Sequence, residues 1–121
     1  GPDRTILVTD ATSAAAAAPG VYGLGPMTLE RKQEPVALSP HTGRPAGSAV
    51  TLDQCLQNVI NWFDLSLDEA ISWASNNPRK ILGNSISEND FSDQWINWKK
   101  MEGMWKVMEV QTGKFKIQNY P

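Results

Sequence analysis

Thr5-Ile6-Leu7-Val8-Thr9 is an unbroken run of β-branched and apolar residues with no polar alternation. A strand with one wet face alternates in character, and a strand covered on both faces does not. The run therefore predicts a strand buried in a parallel sheet, and with it an α/β architecture whose helices cover that sheet. It ends on Asp10-Ala11. A carboxylate at the C-terminal end of a buried parallel strand sits where barrel enzymes place catalytic groups. Position alone leaves a second reading open, in which Asp10 caps the turn that follows. Gly1-Pro2 resembles a protease-cleavage scar and is set aside from the fold reading.

The next stretch is punctuated by turns. Residues 11–19 are small and alanine-rich, and Pro19-Gly20 forces a turn. Val21-Tyr22-Gly23-Leu24-Gly25 reads as a short extended piece. Met27-Thr28-Leu29-Glu30 and Pro35-Val36-Ala37-Leu38 are expected to pair as a hairpin around the polar residues 31–34. Pro26 and Pro35 suit strand edges better than strand centres. Residues 39–48 are rich in Pro, Gly, Ser and Thr and read as a loop.

Two helices follow. Thr51 is an expected N-cap with Asp53 in the first turn. Leu52, Cys55, Leu56, Val59, Ile60 and Phe63 recur at three- and four-residue spacing and make one apolar face. Ser66-Leu67-Asp68-Glu69 carries the capping-box pattern of a second helix. Leu67, Ala70, Ile71 and Ala74 form its stripe, Asn76-Asn77-Pro78 stops or bends it, and Gly83 closes a further turn. The tail changes character. Trp95, Trp98 and Trp105 are three of the chain's five tryptophans, and with Met101 and Met108 they share one face of a helix. Gly103 weakens a continuous helix by about 1 kcal/mol relative to Ala. A helix over about 91–101 followed by a hairpin is the expected arrangement. The rival reading has strands over 105–110 and 115–118.

Four of these patterns stand in a definite order. Ile6-Leu7-Val8-Thr9-Asp10-Ala11 precedes Pro19-Gly20-Val21-Tyr22-Gly23-Leu24-Gly25. Ala46-Gly47-Ser48 then comes ahead of Thr51-Leu52-Asp53. Last comes Ser66-Leu67-Asp68-Glu69-Ala70, with Ala74-Ser75-Asn76-Asn77-Pro78-Arg79-Lys80-Ile81-Leu82-Gly83. In this order, residues from about 4 to 83 resemble the C-terminal third of the N-acetylglucosamine-6-phosphate deacetylase family, within the amidohydrolase superfamily. The resemblance implies the C-terminal fragment of a (β/α)8 barrel: its last strand, a β-hairpin excursion and two helices. A complete barrel needs about 200 residues or more, against 121 here. Residues 3–83 are the deacetylase-like segment on this reading. Residues 84–121 are a divergent tail, because Asn84 to Trp98 departs from the glycine- and Ala-Asp-containing segment that follows in the family.

The resemblance also implies roles. Asp10 occupies the position of the family's general acid/base, which activates a metal-bound water and then protonates the departing amine. Arg44, Pro45 and Ala46 fall on the loop that lies over the substrate, with Pro45 standing where a leucine is expected. Gly47 and Ser48 would support that loop and start the helix. The family's metal ligands, a glutamate and two histidines, come from strands upstream of the matched region, as does a further histidine that contacts substrate. No metal is therefore expected in this chain, although the intact family enzyme implies a divalent ion such as zinc. The amino-sugar phosphate is expected as a ligand only when the rest of the barrel is supplied. His41, the one histidine, reads as a solvent-exposed loop residue.

Composition narrows the remaining classes. The net charge of −2 gives no electrostatic reason to expect nucleic acid. No apolar run approaches the roughly 18 residues of a membrane span. Cys55 is the only cysteine, so no intrachain disulfide forms, and a reducing, cytoplasmic setting with a buried thiol is expected. Two non-catalytic readings stand beside the enzyme fragment. One is a binding or regulatory module that uses the tryptophan-rich tail for a protein partner. The other is self-association through the unpaired edges of the Ile6–Val8 strand.

Overall fold

A computed structural model describes residues 1–83, 94–113 and 115–118. The chain divides into two compact units, Leu7–Cys55 and Gly1–Ile6 with Leu56–Pro121. No described helix is long and apolar enough to cross a membrane.

The unit Leu7–Cys55 is built on a four-stranded antiparallel meander, β1 Gly20–Leu24, β2 Met27–Arg31, β3 Val36–Leu38 and β4 Pro45–Ser48. β1 and β2 close through Gly25-Pro26, between the partners Leu24 and Met27. Gly25 has a φ of 55°, the conformation that places glycine first in a two-residue hairpin loop. The expected hairpin is present as β2 and β3, with Glu30 opposite Leu38 and Arg31 opposite Ala37. The expected loop over 39–48 is shorter than its composition suggested. Residues 39–44 turn, with the Gly43 N–H donating to the Ser39 carbonyl at 2.7 Å, and 45–48 form the edge strand. Pro45 is tolerated there because an edge strand has one side without a ladder. Ala14, Leu29, Ala37 and Ala49 are buried together, with Tyr22 and Ala46 packed against them. Small residues predominate in this core, and Leu29 is the one large side chain within it that is fully buried.

The strand expected over Thr5–Thr9 is not formed. No described residue pairs with that run, and Ile6 and Val8 are 39% and 71% exposed. The described strands of both sheets pair antiparallel, so the last barrel strand expected of the fragment is not among them, whereas the hairpin excursion and the two helices are present. The physical reason is that β-branched composition supplies propensity but no partners, and a strand exists only as one half of a ladder.

Helix α1 covers Leu52–Phe63, as its periodicity predicts. The Thr51 carbonyl accepts from Cys55 N–H, and the Thr51 N–H donates to the Gln54 side chain at 3.3 Å. That is the backward half of a capping box. Cys55, Leu56 and Val59 are buried. Burial pushes the Cys55 thiol pKa up, and the nearby Asp53 carboxylate adds to the shift. Leu52 and Phe63, at the ends of the apolar face, remain exposed.

In the other unit, Ser66 caps α2 Leu67–Ile71 with both halves of a capping box. The Ser66 N–H and hydroxyl donate to Glu69 Oε2 at 2.8 and 2.7 Å, and the Glu69 N–H donates back to Ser66 Oγ at 3.3 Å. Asn76-Asn77-Pro78 does not stop the helix. A wide π turn over Ser72–Asn76 joins α2 to α3 Asn77–Ile81, with the Asn77 N–H reaching back to the Ser72 carbonyl. The extra residue of a π turn changes the pairing just where Pro78 has no N–H to give. Asn77 is buried, and its amide donates to the Pro2 and Thr5 carbonyls at 2.9 and 2.7 Å. Gly83, with φ of 69°, ends α3 as the sequence predicts.

The tail overturns the expected helix where it is described, since residues 84–93 lie outside the described part. β5 Gln94–Met101, β6 Met104–Thr112 and β7 Phe115–Gln118 form an antiparallel sheet in that order. Glu102 and Gly103 make the β5–β6 turn with φ of 52° and 83°. Two consecutive positive φ angles define a type I′ hairpin turn, and this resolves Gly103 as a turn glycine rather than a weak helix residue. Asn97 faces Glu109 and Trp98 faces Val107, so Met108 is the extra residue of a bulge in β6. Glu109 anchors β7 to β6. It pairs with Lys116 at 2.5 Å and accepts from the Gln118 amide at 2.8 Å, and both donors hold its carboxyl below the usual range.

Ser66→Ala is expected to lower unfolding stability by about 1 kcal/mol, read from a urea midpoint. The Ser66 hydroxyl and N–H hold the Glu69 carboxyl below its ordinary value. That contribution is fully present above an unfolded pKa of about 4.3 and is lost as pH falls through the lowered native value. The difference between wild type and Ser66→Ala should therefore shrink in acid, and a pH-independent difference would contradict the cap.

Candidate functional site

Asp10 and the 44–46 segment lie in the same unit, Leu7–Cys55. Asp10 is exposed and has a φ of 50°. Left-handed backbone is uncommon for a residue with a Cβ and costs on the order of 1–2 kcal/mol. Such conformations persist where the surroundings over-determine them, and they cluster at functional sites.

The surroundings here are the far edge of β4. Ala11 makes an isolated parallel bridge with Ser48. The Ser48 N–H donates to the Asp10 carbonyl at 3.2 Å, and the Thr12 N–H donates to the Ser48 carbonyl at 2.9 Å. Thr12 Oγ1 donates to that same carbonyl at 3.0 Å. The Ser48 hydroxyl accepts from Val50 N–H at 3.0 Å and shapes the exit toward α1. Asp10 is thus bracketed by backbone bonds to the strand that carries Pro45 and Ala46.

The three expected lid residues are placed differently from one another. Arg44 is exposed at the end of the 39–44 turn, and its carbonyl accepts from Ser39 N–H at 2.9 Å. Pro45 begins β4 opposite Leu38, whereas Gly47 faces Ala37. Ala46 is therefore the extra residue of a bulge, half-buried against the core. A bulge re-aims side chains at a strand edge. The segment is a strand edge with a bulge rather than an open loop, and Ser48 ends this strand instead of starting the helix.

His41 is exposed in the 39–44 turn. It lines a cleft of about 260 Å³ with Met27, Thr28, Ser39 and Ala46, among others. The residues present do not make a metal site: among the described residues no three His, Cys, Asp or Glu side chains gather as a group that could hold an ion. Thr12 is the residue that sequence reasoning passed over. Its role depends on a partner 36 positions away, and only the glycine at 47, flanked by small residues, pointed to a close approach there.

No family model matches the chain. The N-acetylglucosamine-6-phosphate deacetylase of Vibrio furnissii is 35% identical over 80 residues, which are 66% of this chain and 20% of that protein. The chain thus spans about a fifth of the length of the curated relative it matches. Among solved structures, the Mycobacterium smegmatis deacetylase is an Asp-to-Ala variant in complex with N-acetyl-D-glucosamine-6-phosphate. It matches 69% of this chain and 23% of its own at 34% identity and a TM-score of 0.57. The Thermotoga maritima deacetylase matches 68% and 22% at 29% identity and a TM-score of 0.59. The Pasteurella multocida deacetylase covers 97% of this chain and 31% of its own, with a TM-score of 0.73 at 20% identity, a likeness of fold alone. Sequence and structure together identify this chain as similar to part of the N-acetylglucosamine-6-phosphate deacetylase family.

Proposed function

We propose that residues 3–83 are the C-terminal portion of a hydrolase that removes the N-acetyl group of an amino-sugar phosphate. Asp10 is its general acid/base, and Arg44, Pro45 and Ala46 form its cover over the substrate. The observation that carries this reading is the 35% identity over 80 residues with the Vibrio furnissii deacetylase, and the left-handed backbone of Asp10, a conformation that Ala16, Asp64 and Glu102 share, agrees with it. A carboxylate in that position can take a proton from an attacking water and return it to the departing amine nitrogen. The bonds from Ser48 to the Asp10 carbonyl and from Thr12 to Ser48 fix the backbone that leaves Asp10, and so limit where its side chain can start from. In the Mycobacterium smegmatis structure an aspartate is replaced by alanine and N-acetyl-D-glucosamine-6-phosphate is bound.

The isolated chain is proposed to be inactive, because the family's metal ligands lie outside the matched segment. A second reading, a binding module, is favoured by one observation: Trp95, Ile96, Met101 and Met104 are exposed on the tail sheet, and no described tryptophan is buried.

Three outcomes are expected. Acetate release from N-acetylglucosamine-6-phosphate, with zinc added, should be absent for this chain. It should appear when residues 4–83 replace the matching segment of the Thermotoga maritima enzyme, and Asp10→Asn in that graft should cost about 10²- to 10⁴-fold in rate. An active graft indifferent to Asp10→Asn would overturn the assignment. Asp10→Gly should be more stable than Asp10→Ala by about 1 kcal/mol, since only glycine takes the left-handed backbone freely. Equal denaturant midpoints would remove the strain from Asp10. Tryptophan emission should be red-shifted and readily quenched by acrylamide, and shielded emission would count against the exposed tail face.

A further inference from the structure

We propose that Thr12 and Gly47 are positioning residues that join the Asp10 loop and the cover strand β4 into one mechanical part. The inference rests on the roles given above to Asp10 and to Arg44–Ala46. Backbone bonds of the kind between Ser48 and residues 10 and 12 form in almost any sequence. Two side-chain features go beyond them. Thr12 Oγ1 and Thr12 N–H both donate to the Ser48 carbonyl, at 3.0 and 2.9 Å, so one residue supplies two donors to one oxygen. Gly47 has a φ of 139°, and a Cβ built there would collide with the Thr12 methyl. The Thr12 hydroxyl therefore ties the joint, while its methyl takes the space that a side chain at 47 would need.

This joint stands between two features that matter for chemistry. Two residues before Thr12 is Asp10, with its left-handed φ of 50°. One residue before Gly47 is Ala46, the bulged residue of the cover strand. A displacement of Ala46 has a short covalent route to Gly47 and Ser48, and from there two routes to Asp10: the Ser48 N–H bond and the Thr12 contacts. Packed joints of this kind have discrete arrangements rather than continuous ones. Substrate pressing on Arg44–Ala46 is thus felt at the Asp10 backbone, and Thr12 and Gly47 carry that coupling. Both act through Ser48 and the Asp10 backbone rather than by any chemistry of their own.

Nuclear magnetic resonance on the full chain, without substrate, tests the coupling. Ala46→Gly loosens the bulge, and it should shift the Asp10 amide and side-chain carboxyl carbon signals. In a Thr12→Ala background the same substitution should move the Asp10 signals by less than half as much, and Thr12→Ser should restore part of the response. A merely structural Thr12 would lower stability and leave the Ala46→Gly response at Asp10 unchanged. That result, or no response at Asp10 in the wild-type background, overturns the proposal. Thr12→Val keeps the side-chain shape and removes only the hydroxyl, and it serves the same comparison if Thr12→Ala does not fold. Because no catalysis is read, the two ideas fail separately. An intact coupling in a chain whose active graft tolerates Asp10→Asn overturns the functional reading alone. A missing coupling beside an essential Asp10 overturns the positioning role alone.

Discussion

The parallel bridge between Ala11 and Ser48 is the contact on which the candidate site depends. Asp10 and Ala46 are far apart in sequence, and each sits in an unfavourable local geometry, one in left-handed backbone and the other in a bulge. Neither geometry is stable by local preference. Both are held because Ser48 donates to Asp10 on one side and accepts from Thr12 on the other. Beneath them is a core of alanines and Leu29, whose small side chains let the sheet and the residue 11–18 segment approach closely. A larger side chain at Ala14 or Ala37 would push those layers apart and carry the bridge with them.

What could be read in the sequence was whatever depends on neighbours a few residues away. The Ser66–Glu69 capping box is contained in four residues, and it appears with both of its halves. The apolar face of α1, the β2–β3 hairpin and the stop at Gly83 are similarly local. The run Thr5–Thr9 shows the opposite case. Its composition describes a buried strand, yet burial and pairing come from neighbouring strands, and among the described residues no strand pairs with it. The candidate residues Asp10, Arg44, Pro45 and Ala46 were reachable through family resemblance, but the joint that relates them was not. Thr12 and Ser48 meet across 36 residues, and Gly47 signals a close approach without saying which residue approaches.

The tail was misread because two periods fit one string. Trp95, Trp98, Met101, Trp105 and Met108 share a helical face, yet the same residues lie on the paired strands β5 and β6, with Met108 as the extra residue of a bulge. The deciding signal was Glu102-Gly103. A helix gives that glycine no reason to be there, whereas a type I′ turn requires a positive φ at both positions. Cross-strand pairs then account for the lysines among the tryptophans. Lys100 lies 5.9 Å from the Trp105 ring and Lys116 lies 5.7 Å from the Trp95 ring, within cation–π reach.

Amide hydrogen exchange at Thr12 and Ser48 is the most direct measure of the joint. The structure predicts that both amides are protected to the same degree as those of Leu29 and Arg31 in β2, because the bridge opens only with the sheet. Exchange at Thr12 and Ser48 near the rate of an unstructured peptide, with β2 still protected, would contradict it and would leave Asp10 without the support that its proposed role requires.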